Sequence, residues 1–95
     1  MVEYLYNAIR ASAGSDAVIG AHIRNTSGEC IKENCSLMLH DDNDMLGTFE
    51  GALDGSECWT FTIPAEITKD LKGRYWYCIC HQGVNLCFKE PIYFI

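Results

Sequence analysis

The chain has 95 residues, room for one domain spanning 1–95 and no more. It is 48% hydrophobic, with five Tyr, four Phe and two Trp, a composition that predicts a folded core and argues against disorder. Thirteen acids against seven bases give a net charge of −6, and Asp70 interrupts the only local group of cations, Lys69, Lys72 and Arg74. This argues against nucleic acid and anionic membranes as partners.

The hydrophobic period is two through most of the chain, which is the signature of strands. Glu3 to Ile9 reads as an edge strand. From Ala17 to Arg24, the residues Ala17, Ile19, Ala21 and Ile23 share one face. Asn25-Thr26-Ser27-Gly28 is built from turn formers. Cys35, Leu37 and Leu39 alternate with Ser36, Met38 and His40, and Asp41-Asp42-Asn43-Asp44 closes that strand as a polar loop. Met45 to Glu50 is a weaker strand, followed by the hairpin signal Asp54-Gly55. Trp59, Phe61 and Ile63 alternate with Thr60 and Thr62 until Pro64, which lacks an amide donor, ends the run. Ala65 to Leu71 is expected to make a short helical turn. Gly73 to His81 is the most aromatic strand, and the chain turns at Gln82-Gly83-Val84-Asn85 to return through Leu86-Cys87-Phe88. Ile92 to Ile95 is a last apolar run.

Seven to eight short strands with regular turns predict a sandwich or barrel. Strands with one apolar face need a second sheet to cover it, which points to an all-β, two-sheet antiparallel sandwich. A small α+β domain with a helix at 68–73 is the alternative. The aromatic clusters lie late, so the second half is expected to supply most of the core. No basic or apolar leader precedes Glu3 and no apolar run approaches membrane-spanning length, so synthesis and folding in a cytosol are expected. Six cysteines are then expected as reduced thiols; in a processed secreted chain they would be a disulfide framework.

Leu71-Lys72-Gly73-Arg74-Tyr75-Trp76-Tyr77 resembles the corner of an immunoglobulin-like sandwich, with Tyr75 in the corner place and Tyr77 where antibody domains carry Cys. Leu71 stands where that corner usually has Asp. Around it run Gly14-Ser15-Asp16, Leu39-His40-Asp41-Asp42-Asn43-Asp44-Met45 and Trp59-Thr60-Phe61-Thr62-Ile63-Pro64-Ala65-Glu66-Ile67-Thr68. This succession, over about residues 14–95, is similar to small immunoglobulin-like modules of tailed-bacteriophage virion proteins. The resemblance implies a non-enzymatic accessory or assembly role in a virion made in a bacterial cytoplasm. The expected partners are other virion proteins or further copies of the chain as a homo-oligomer. It transfers no catalytic residue and no cofactor.

Cys78-Ile79-Cys80-His81 is the most ligand-like cluster. On a strand, Cys78 and Cys80 share a face and His81 takes the other. Zinc would need a second matched pair, for which Cys30-x₄-Cys35 fits poorly. Cys58 with Cys78, or Cys80 with Cys87, would be candidate disulfides in an oxidising compartment. His22, His40 and His81 lack any local nucleophile motif. Asp41-Asp42-Asn43-Asp44 departs from a calcium loop at Met45 and reads as a solvated turn. If Tyr75, Tyr77 and Ile79 fill the core, Trp76 faces outward with Arg74 and Cys78. Those three residues are the candidate partner interface, an ordinary packing position being the alternative.

Overall fold

Ten strands and one helical turn order the residues that the computed structural model describes, 2–5, 8–82, 84, 85 and 89–95. In chain order they are β1 (Val2–Leu5), β2 (Ala8–Ala11), β3 (Ala17–Ala21), β4 (Cys35–His40), β5 (Met45–Glu50) and β6 (Ala52–Leu53). Then come β7 (Trp59–Ile63), α1 (Ala65–Thr68), β8 (Gly73–His81), β9 (Val84–Asn85) and β10 (Glu90–Phe94). The large sheet runs β1-β2-β10-β8-β4-β5, with β9 beside the end of β8, and the small sheet runs β3-β7-β6. Among the described residues all strand pairings are antiparallel except one: β2 and β10 run parallel, with Ile9, Arg10 and Ala11 opposite Ile92, Tyr93 and Phe94. The chain is all-β, in two sheets packed face to face.

The alternation that predicts strands also decides what they bury. Leu37 and Leu39 on β4, Trp59, Phe61 and Ile63 on β7, and Ile92 and Phe94 on β10 point between the sheets and are buried. Tyr75, Tyr77 and Ile79 on β8 pack against this cluster from the same side. The ring of Tyr75 meets Phe94 edge-on, with centroids 5.8 Å apart. Trp59 satisfies its indole N–H with the carbonyl of Ile31 at 2.7 Å, so the long 22–34 connection is tied to the core by its backbone.

Three expectations are corrected. The start is not one edge strand over 3–9 but a hairpin of β1 and β2, and β2 carries the buried Ile9 and Ala11. Nor does the second half of the chain dominate the core, because Ile9, Ala11, Ala17, Ile19, Ile23, Cys35, Leu37 and Leu39 are all buried within it. The helical turn expected over 65–71 is shorter, Ala65–Thr68, and the alternative helix over 68–73 does not form. That turn is held by Asp16, whose carboxylate accepts from the amide of Ala65 at 2.7 Å. Thr68, fully buried, donates its hydroxyl to the carbonyl of Ser15 at 2.7 Å and accepts from the amide of Gly14 at 3.1 Å. The return segment Leu86-Cys87-Phe88 and Gly83 lie outside the described residues.

Candidate functional site

The register of the large sheet lays its outward side chains in rows. Glu3, Arg10, Tyr93 and Arg74 face one another across β1, β2, β10 and β8. The next row is Pro91, Trp76, His40 and Met45 across β10, β8, β4 and β5. Cys78, Met38 and Thr48 follow, then Cys80, Ser36 and Glu50. Residues two apart on a strand share a face, so one face of β8 gathers Arg74, Trp76, Cys78 and Cys80.

Trp76 is fixed in place from two sides. Its indole N–H donates to Oδ1 of Asp42 at 3.1 Å, and the guanidinium of Arg74 lies 5.0 Å from its ring centroid. Arg74 is exposed and Trp76 half-buried, whereas Cys78 is only 2% exposed. Of the three candidate interface residues, Arg74 and Trp76 therefore reach the surface together, while Cys78 lies beneath it. The sulfur of Cys78 sits 3.7 Å from Nε2 of His40, and that of Cys80 sits 3.2 Å from the sulfur of Met38. Burial, and after it the charge of Lys89, holds the His40 imidazole below its ordinary range, with Asp41 opposing. The neutral imidazole is thus favoured over the charged one beside a thiol that lies under the surface.

The other candidate groups are dispersed. Cys35 faces the core from β4 while Cys78 and Cys80 occupy the far side of the same sheet, so the two pairs considered for zinc do not converge. Among the described residues, no three His, Cys, Asp or Glu side chains come together around a metal position. Burial, with a smaller contribution from Cys30, raises the Cys35 thiol above its ordinary value. The pairing of Cys58 with Cys78 is ruled out by geometry. Cys58 lies against Gly20 on the outer side of the small sheet, and Cys78 is on the outer side of the large one. Sheets pack about 10 Å apart, and a disulfide needs Cα atoms within about 7 Å. Cys87 lies outside the described residues.

The histidines are separate too. His22 places Nδ1 3.2 Å from the carbonyl of Glu57, and His81 lies on the core side of β8 opposite Cys35. Asp41 spends its carboxylate on its own turn, where Oδ1 accepts from the amides of Asn43 at 2.7 Å and Asp44 at 2.6 Å. Both bonds pull its pKa below the ordinary carboxylate value.

Sequence reasoning missed what lies beside Trp76. The register of β4 and β5 shifts between Leu39 and His40, because Leu39 faces Gly47 and His40 faces Met45. Leu46 is the extra residue of a β-bulge, and Met45 and Leu46 both emerge to solvent at the end of the Trp76 row. A broken alternation at Met45-Leu46 was the only signal. Comparison of the chain with protein-family models, with curated proteins and with solved structures finds no match.

Proposed function

We propose that this chain is a non-enzymatic contact module of immunoglobulin-like fold, a virion accessory or assembly protein that works by binding other proteins. The contact reading is carried by the Pro91–Trp76–His40–Met45 row with Arg74 stacked on Trp76. Trp, Arg, Met and Tyr are the residues enriched in interface cores, and a ring already held by Asp42 and Arg74 loses little freedom when a partner covers it. The inner side of the same sheet has its own packed core, so the outer row is not needed to close the sandwich.

The immunoglobulin-like reading draws support from the strand order. A sheet of β2, β10, β8, β4 and β5 lies over one of β3, β7 and β6, with β2 parallel to β10. At the corner, the amide of Lys72 donates to the hydroxyl of Tyr75 at 3.4 Å. The virion setting rests on the succession of sequence motifs alone.

Mass spectrometry of purified particles tests that setting, since the chain belongs among the particle proteins. Structural proteins encoded beside its gene, purified singly and titrated calorimetrically, test the contact. Trp76→Ala is expected to weaken binding about tenfold or more at an unchanged melting temperature. A variant that melts early yet binds normally removes the interface, and absence from the particle removes the virion role.

A further inference from the structure

The large sheet ends in two open edges. Among the described residues, no strand pairs with the outer side of β1 or of β5. Each edge carries an adjacent pair of exposed apolar side chains: Tyr4 (57%) and Leu5 (44%) on β1, Met45 (51%) and Leu46 (39%) on β5. Neither strand contains Lys or Pro; β1 carries one charge, Glu3, and β5 carries Glu50 and the bulge at Met45-Leu46. The free side of β3 in the small sheet contrasts with them, because its Gly20 amide is capped by the hydroxyl of Tyr4 at 2.7 Å.

Strand direction and charge decide what fits these edges. Four of the five pairings from β1 across to β5 are antiparallel and one is parallel, so β1 and β5 point the same way. A second copy in the same orientation can therefore set its β1 parallel to β5 and continue the sheet. Two copies of β5 paired antiparallel would instead place Asp44 and Glu50 of one beside Glu50 and Asp44 of the other, acid against acid at both ends. The only charge on β1, Glu3, is already paired with Arg10 of its own chain. Charge thus disfavours β5 against β5 and leaves β1 open to meet β5.

We infer that copies of this chain associate head to tail, β5 of one against β1 of the next, into a ring or an open string. This rests on the reading of the chain as a contact module and names one partner, a second copy. Each joint spans only a few residues, so it is weak alone and gains from closure of the ring.

Sedimentation and native mass spectrometry of the full chain, from about 10 µM to about 1 mM, test it. The wild type is expected to gain mass with concentration. Leu5→Lys and Leu46→Lys, each checked for an unchanged melting transition, are expected to stay monomeric alone. Mixed in equal amounts they should form dimers and nothing larger, because each keeps the edge that the other has lost. Leu5→Glu and Met45→Lys replace either variant that fails to fold. A monomeric wild type, a single variant that dimerises by itself, or a mixture that stays monomeric overturns the inference. Trp76→Ala should leave self-association intact. A monomeric wild type that still binds a virion protein through Trp76 sinks the edge pairing and spares the contact reading.

Discussion

Gly51 and Phe61 lie so close that a Cβ on Gly51 would fall 2.6 Å from Cε1 of the ring and 2.7 Å from Cε3 of Trp59. The glycine sits between β5 and β6, where the chain leaves the large sheet for the small one, and its amide donates to the carbonyl of Cys35 at 2.9 Å. The crossing is thus pressed onto the two largest core rings of β7. Gly51→Ala should overpack this point and cost about 1–3 kcal/mol. Urea unfolding measures it, and an unchanged midpoint would contradict the contact.

Thr68 is the one buried polar side chain in the core of the described residues, and it joins α1 to the turn before β3. Thr68→Val keeps the shape but strands the Ser15 carbonyl and the Gly14 amide, at a cost of about 1–3 kcal/mol. Thr68→Ser keeps the hydroxyl and should retain more of the stability than the valine. Thermal melts of the pair decide it: a valine variant as stable as wild type would remove the anchor.

Stability should fall with acid in two stages. Burial and then Lys89 lower the His40 pKa, so the unfolded chain takes up that proton first as pH drops. The fold has its full margin above about pH 6.5 and loses some of it below, until the folded-state value is passed. Asp41 is held low by the amides of Asp44 and Asn43, and Asp54 by the amide of Cys58 and by Ser56. Their contribution is present above about pH 4 and is lost as pH falls through the lowered folded values. Denaturation midpoints across this range should show both declines, and His40→Gln should abolish the first alone. A wild-type midpoint that is constant between about pH 7 and pH 5 would refute the His40 part.

Alkylation should separate the described thiols. Cys30 and Cys58 are half-exposed, whereas Cys35 is buried and its thiol is raised by that burial. At about pH 8 an alkylating reagent should mark Cys30 and Cys58 promptly and Cys35 only on unfolding. Peptide mapping after a short pulse checks this, and equal labelling of Cys35 and Cys30 in the folded chain would contradict it.

What was legible in the residues was the alternation of β4, β7 and β8, and through it the inward set Leu37, Leu39, Trp59, Phe61 and Ile63. The two-sheet architecture follows from such half-buried strands. Three features were not legible. No Gly or Pro separates β1 from β2, so Glu3 to Ile9 reads as one edge strand. A buried threonine looks like any solvent-facing one until Ser15 and Gly14 are found beside it. On β8 both faces hold buried residues, Cys78 and Cys80 on one side and the half-buried Tyr77 and Ile79 on the other. Simple inside-outside counting therefore placed Arg74 and Trp76 on one outer face with Cys78, and missed that Cys78 lies below it.

The parallel seam between β2 and β10 has a mechanical consequence. Tension entering ahead of Ala8 and leaving beyond Phe94 drags the two strands past each other along their length. Every hydrogen bond of the seam is then loaded together instead of being unzipped one at a time. A pull along this line should therefore meet more resistance than one that peels the same three residue pairs apart in turn.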